Sequence, residues 1–221
     1  MSKRLIAEAL GTALLLISVI GSGIMAVNLS GGNTGLALLA NAIATGAMLF
    51  SIITVLGPIS GAHFNPAVTL AFALNGEHQW RDVTPYVAMQ ITGGIIGVWA
   101  SHIMYDLPVI QTSATMHRTG LAQWFSEGIA TFGLLMVIFG GLKARPDAVP
   151  PLVAFYITGA YWFTSSTSFA NPAVTIARTM SDTFAGIYPA HAPMFILVQI
   201  ATALIATPFL CWLFPRPKGT S

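Results

Sequence analysis

The sequence predicts an all-α membrane protein of six transmembrane helices and two re-entrant half-helices, built as two inverted repeats within a single domain, 1–221. Three observations predict it. Only 7% of the residues are charged and 55% are hydrophobic, against roughly 25% charged in a soluble domain. Apolar stretches long enough to span a bilayer recur along the whole chain. One five-residue string, Asn-Pro-Ala-Val-Thr, stands once in each half.

A spanning helix needs about 20 mostly apolar residues. Stretches that supply them are 5–27, 36–58, 83–105, 121–142, 149–167 and 192–214. The connections are short, so no separate soluble domain is expected, and the first apolar run is long enough to span rather than to serve as a cleaved signal. Lys and Arg in the loops set the orientation. With the N-terminus inside, the inner side holds Lys3, Arg4, Arg81, Lys143, Arg145, Arg216 and Lys218, and the outer side holds Arg118 and Arg178. Both termini are therefore expected to be cytoplasmic. The net charge of +2 is too small to point to nucleic acid, and the single cysteine, Cys211, allows neither an intramolecular disulfide nor a zinc cluster.

The halves, roughly 1–106 and 118–221, echo each other. Span 1 carries Glu8 and Thr12, span 4 carries Glu127 and Thr131, and in both the Thr follows the Glu by four residues, on one helical face. After span 2 comes His63-Phe64-Asn65-Pro66-Ala67-Val68-Thr69, and after span 5 comes Ser168-Phe169-Ala170-Asn171-Pro172-Ala173-Val174-Thr175. Each half holds an odd number of spans, so the second starts from the opposite side of the membrane, as in inverted-repeat membrane proteins.

Each Asn-Pro-Ala is followed by about ten apolar residues, too few to cross and suited to a re-entrant half-helix. Proline is tolerated in a first helical turn because its missing N–H has no partner there, and asparagine is a good N-cap. Two such starts meeting near the midplane bring together two positive helix ends and two amide donors. The irregular segments before them, Gly61, Ala62, His63 and Phe64 in one half and Thr167 with Phe169 and Ala170 in the other, are expected to turn carbonyls to a wet lumen, since such backbone survives at that depth only beside water. The result is a path for small polar molecules that repels cations.

At these residues the chain resembles the major intrinsic protein family, the aquaporins and aquaglyceroporins, over essentially its whole length. Ile59-Ser60-Gly61-Ala62-His63-Phe64-Asn65-Pro66-Ala67-Val68-Thr69 is a nearly complete copy of the family's first signature. The resemblance implies an aquaporin-like fold, a passive channel in a lipid bilayer (a bacterial inner membrane being expected), a homotetramer with one pore per subunit, and no cofactor. It gives Glu8 and Glu127 a structural task, holding the re-entrant loops from behind, although an acid inside a membrane is otherwise a functional-site candidate. His63 is expected to brace its loop rather than to bind metal.

The selectivity filter departs from the family. Where most members carry arginine directly after the second Asn-Pro-Ala, this chain has Val174. Alignment back from the two Asn residues makes Thr45, Gly159 and Ser168 the other filter positions. All four are small and uncharged, which predicts a wide constriction passing water and also glycerol, urea or trihydroxy metalloids such as arsenous acid; some bacterial members with such filters are associated with arsenic resistance. Arg178 lies four residues beyond Val174 on the same face. A surface pair with Asp182, a further four residues on, is the expectation for it, and a displaced positive charge at the vestibule is the alternative. Trp80, Trp99, Trp124, Trp162 and Trp212 mostly fall near span ends, as interfacial anchors do; Trp162 and Tyr161 are expected to pack against the loop, and Gly11, Gly93, Gly94, Gly97 and Gly133 to permit close helix crossings. No nucleophile–base pattern, phosphate loop or metal cluster supports an enzyme. The rivals are a secondary transporter, which shares the inverted-repeat plan, and a junction protein with a nearly closed pore.

Overall fold

A computed structural model describes residues 1–215; Arg216 and Lys218, counted among the inner charges above, lie outside the described residues. The described chain is helical throughout, without strands: α1 (Ser2–Leu29), α2 (Thr34–Ser60), α3 (Pro66–Leu74), α4 (Trp80–Met104), α5 (Leu121–Ala144), α6 (Val149–Phe163), α7 (Pro172–Arg178) and α8 (Ala192–Leu213). By length and composition α1, α2, α4, α5 and the segment Pro189–Leu213 can each cross a membrane.

The fifth expected span, 149–167, is shorter than its apolar pattern suggests. α6 has 15 residues and stops at Phe163, with Thr164 already extended at ψ 137°. Five hydroxyl residues in a row, Thr164 to Ser168, explain the stop, because such side chains offer backbone groups alternatives to the helical ladder. The Thr164 hydroxyl donates to the Ala160 carbonyl at 2.6 Å, and the Ser166 hydroxyl accepts from Ser168 N at 3.2 Å. A 3-10 turn, Pro146–Ala148, precedes α6 and adds helical length at its other end.

The half-helices start where the sequence places them. Asn65 and Asn171 are both extended N-caps with proline next in the chain. Packing repeats between the halves: α1 packs on α2 and α4, α5 packs on α6 and α8, and α2 meets α6 across the centre. The half-helices exchange partners. α3 lies against α8 as well as α4, and α7 lies against α4 as well as α8. Each short helix is therefore clamped by the last long helix of both halves, which fixes where the two starts meet.

Close approach of α4 to α1 rests on two glycines. A Cβ on Gly93 would collide with the Ala9 carbonyl, and one on Gly97 with the Ala13 carbonyl. Both obstacles are backbone and cannot rotate away. Gly93→Val is expected to cost about 1–3 kcal/mol through overpacking, read as a lower Tm in detergent. Gly159, where a Cβ would meet nothing nearer than Phe163 at 3.8 Å, gives the contrast: Gly159→Ala is expected to be neutral or to stabilise by about 0.5–1 kcal/mol.

Candidate functional site

Both re-entrant loops contain residues in the left-handed region: Ala62 (φ 51°) and Phe64 (φ 47°) in the first, Thr167 (φ 63°), Ser168 (φ 52°) and Ala170 (φ 47°) in the second. None is glycine, and each such residue costs of order 1–3 kcal/mol unless its surroundings hold it. Two fully buried carboxylates do so. Glu8 Oε1 accepts from Ser60 Oγ at 2.7 Å and His63 N at 3.0 Å, while Oε2 accepts from Phe64 N and Gln90 Nε2, both at 2.7 Å. Glu127 repeats the arrangement: Oε1 accepts from Phe169 N at 2.8 Å, and Oε2 accepts from Ala170 N at 2.8 Å and Gln199 Nε2 at 2.6 Å. A carboxylate bonded to several N–H donors is the strong, charge-assisted kind of acceptor. Gln90 and Gln199 also donate at 3.0 Å to Thr69 and Thr175, the last residues of the two Asn-Pro-Ala-Val-Thr strings. Sequence reasoning missed both glutamines, although each is a polar residue within a span that follows a half-helix, and that shared position was the available signal.

The two asparagines cap their own helices and cross to each other's loop. Asn65 Oδ1 accepts from Ala67 N at 2.9 Å and its Nδ2 donates to the Ala170 carbonyl at 2.7 Å. Asn171 Oδ1 accepts from Ala173 N at 3.0 Å and Val174 N at 3.2 Å, and its Nδ2 donates to the Phe64 carbonyl at 2.8 Å. A carboxamide nitrogen carries two hydrogens, so each asparagine keeps one donor beyond its cross-loop bond. Both line an internal cavity of about 120 Å³, room for a short file of waters, since one water needs roughly 10–15 Å³ of such space.

Helical stripes spaced by four make the rest of the wall: Leu15 and Val19 of α1, Thr45, Leu49 and Ile53 of α2, Leu134, Ile138 and Leu142 of α5, and Val149, Val153, Ile157 and Tyr161 of α6. The last stripe corrects the alignment. Gly159 is two residues from both Ile157 and Tyr161, roughly 200° around the helix, and does not reach the lumen. Tyr161 stands there instead, its hydroxyl 3.2 Å from Thr45 Oγ1. Ser168 and Val174 also line the cavity, and the Ser168 hydroxyl has no protein partner. Gly61, Ala62, His63, Phe64 and Phe169 belong to the wall, whereas Thr167 and Ala170 do not. The Phe64 and Ala170 carbonyls are engaged by the asparagines, and Thr167 Oγ1 accepts from Arg118 Nη1 at 3.4 Å. The expected row of free carbonyls is thus shorter than the sequence suggested.

Arg178 is the largest correction. It forms no surface pair with Asp182: it is 2% exposed, lines the cavity, sits with Cζ 3.4 Å from the centre of the Phe169 ring and donates from Nε to the Ala185 carbonyl. Asp182 turns the other way, Oδ1 accepting from Ala114 N and Thr115 N at 2.9 Å and from Thr115 Oγ1 at 2.8 Å. His63 stacks on Phe72 with ring centroids 4.7 Å apart and has Nδ1 3.1 Å from Thr69 Oγ1.

Apolar helices around a lumen with two capped half-helix starts at its centre define a membrane channel. The family description "Major intrinsic protein" matches residues 1–164. The chain is 52% identical over 213 residues to the aquaglyceroporin AqpS of Rhizobium meliloti (strain 1021), covering 96% of this chain and 91% of that one. It is 33% identical over 172 residues to a probable glycerol uptake facilitator protein of Thermotoga maritima, covering 69% of this chain and 70% of that one. Among solved structures, the aquaglyceroporin from Plasmodium falciparum matches with a TM-score of 0.70 over 96% of this chain and 98% of that one, at 19% identity, a likeness of fold. This chain belongs to the major intrinsic protein family.

Two outcomes follow from the bonded groups. Glu127→Gln turns an amide NH2 toward a backbone N–H of Phe169 or Ala170, and the unsatisfied donor is expected to cost about 1–3 kcal/mol, measured as a fall in Tm. Asp182 lies in the loop after α7, where the N–H and hydroxyl of Thr115, then Ala114 N–H, hold its carboxyl below the ordinary 3.8. A lowered folded-state pKa gives stabilisation that is full above the unfolded value and lost as pH falls through the folded one. Amide exchange at Ala114 and Thr115, corrected for intrinsic rate, is therefore expected to hold steady from neutral pH to about 4 and to accelerate below it; Asp182→Asn should remove that step.

Proposed function

We propose that the chain passes small uncharged hydroxylated or amide solutes down their gradients, glycerol, urea and trihydroxy metalloids such as arsenous acid among them, together with water. The observation that carries this reading is the lumen's polarity pattern. Its stripes are apolar, and the polar points are few: the spare amide donors of Asn65 and Asn171, the unpartnered Ser168 hydroxyl, and the Thr45–Tyr161 hydroxyl pair. A solute hydroxyl stripped of water with no replacement bond loses several kcal/mol, and these groups replace such bonds at intervals along the path. The valine at position 174 supports passage of solutes larger than water, as do the names of the relatives AqpS and the glycerol uptake facilitator. Among the described residues no carboxylate lines the cavity, because Glu8 and Glu127 have their oxygens engaged behind the loops; this speaks against proton coupling and the transporter rival.

In this reading the constriction is formed by Thr45, Tyr161, Ser168 and Val174, with Arg178 at its outer edge, and Asn65, Pro66, Ala67, Asn171, Pro172 and Ala173 form its centre. The chain is one channel domain of two inverted halves in an inner membrane with both termini cytoplasmic, in keeping with seven of the nine Lys and Arg falling on the inner side. Exposed apolar side chains such as Phe155, Ile205 and Leu121 suit contact with lipid and with neighbouring copies in a homotetramer.

Stopped-flow light scattering on proteoliposomes tests it, with water, glycerol and arsenous acid compared in the wild type and Val174→Arg. The wild type is expected to pass all three. The arginine variant is expected to keep water and to lose the larger solutes by about tenfold or more, since overpacking by about 1–3 kcal/mol reduces a rate tenfold per 1.36 kcal/mol. Wild-type flux confined to water would refute the proposal.

A further inference from the structure

We propose that Arg178, seated on the Phe169 ring, is the cation-excluding charge of the outer mouth, taking from one helical turn farther along the role that residue 174 cannot fill. The inference rests on the channel reading above. Long helical side chains lean toward the N-terminus of their helix, so Arg178 reaches back over the turn that holds Val174. The guanidinium lies on the Phe169 ring and on the same cavity wall as the short Val174 side chain.

Four observations separate this residue from an ordinary buried arginine. First, among the described residues no carboxylate makes an ion pair with it: those ion pairs are Arg4–Asp82, Arg81–Asp82 and Arg145–Asp147. Second, its Nε donates to the Ala185 carbonyl, while its terminal nitrogens have no protein acceptor among the described residues, which leaves them for solute oxygens. Third, a second guanidinium stiffens the same ring. Arg118 stands with Cζ 5.4 Å from the Phe169 centroid, and its three nitrogens all donate to protein: Nε to the Gly186 carbonyl at 2.9 Å, Nη1 to Thr167 Oγ1 at 3.4 Å and Nη2 to the Phe184 carbonyl at 3.2 Å. Arg118 is thus a positioning residue that holds the loop carbonyls and the ring, and Arg178 is the one on the cavity wall, with Nε alone bonded to protein. Fourth, the half-helix ends are weaker barriers than their number suggests. Their first N–H groups, those of Ala67, Ala173 and Val174, are already bonded to the Asn65 and Asn171 side chains, and the positive end of a helix resides in unsatisfied N–H groups. An unpaired guanidinium at the mouth adds a full charge where those ends supply fractions.

Urea and guanidinium ion form a pair matched in size and planarity that differs in charge, so their flux ratio reads charge selection and normalises for the amount of folded pore. In proteoliposomes the wild type is expected to pass urea and to exclude guanidinium. Arg178→Gln is expected to raise the guanidinium-to-urea flux ratio roughly tenfold or more, the scale of one unit charge removed at a few ångströms in a partly wet site. Arg178→Met, whose unbranched chain still packs on an aromatic ring, is measured beside it and is expected to do the same, so that misfolding of one variant leaves the other to decide. A ratio unchanged from wild type in a variant that passes urea overturns the proposal, as does free passage of guanidinium through the wild type. Absence of urea flux in the wild type would instead refute the channel reading itself.

Discussion

Everything at the centre of this molecule depends on two buried carboxylates gripping backbone that would not otherwise hold its shape. Five non-glycine residues with positive φ stand in the loops before the half-helices, a burden of several kcal/mol. Hydrogen bonds to a charged group contribute about 1.5–3 kcal/mol each, and Glu8 and Glu127 together accept four from loop N–H groups. The two terms are of similar size, so the loops are held without a large surplus. That balance explains why an ionisable group is tolerated at 0% exposure inside an apolar bundle: each carboxylate has its oxygens satisfied by loop and glutamine donors.

The second dependence is mutual. Asn65 closes on the loop of the other half and Asn171 closes on the loop of the first, while each half-helix rests on the last long helix of both halves. Neither start can shift without opening a bond in the other. A soluble protein could let water mend such a break, but in a bilayer the freed groups find few partners. The site is therefore rigid because it is shared, and a rigid ring of donors suits a channel, where the solute rather than the protein must adapt during passage.

Much of this was legible in the sequence. The repeated Asn-Pro-Ala-Val-Thr locates the starts of both half-helices to the residue because capping and proline chemistry are local, while α7 stops sooner than its apolar run suggests; the Glu–Thr echo marks the carboxylates. The lumen was harder to read. Counting back from Asn171 leads to Gly159, but the hydroxyl run at Thr164 to Ser168 breaks the helix early; the four-residue stripe through Val149, Val153 and Ile157 leads instead to Tyr161. The i,i+4 spacing favours an Arg178–Asp182 ion pair on a continuous helix, whereas α7 ends at Arg178 itself and the chain then turns Asp182 toward Thr115. Spacing rules hold only as far as the element does, and a seven-residue helix offers little room for them.

The composition of the wall sets what can cross it. A neutral solute that leaves water must recover its lost hydrogen bonds, a few kcal/mol apiece when unreplaced, and a handful of donors and hydroxyls spaced along apolar stripes is enough for that. A denser lining would bind too well and slow release, since conduction needs sites weak enough to leave. An ion faces a different balance. Its desolvation runs to tens of kcal/mol in a dry medium, and the Phe64 and Ala170 carbonyls, which could have met a cation at the centre, are engaged by the asparagines. The cross-bonds that fix the geometry of the centre thus also occupy two of the acceptors a cation would need there.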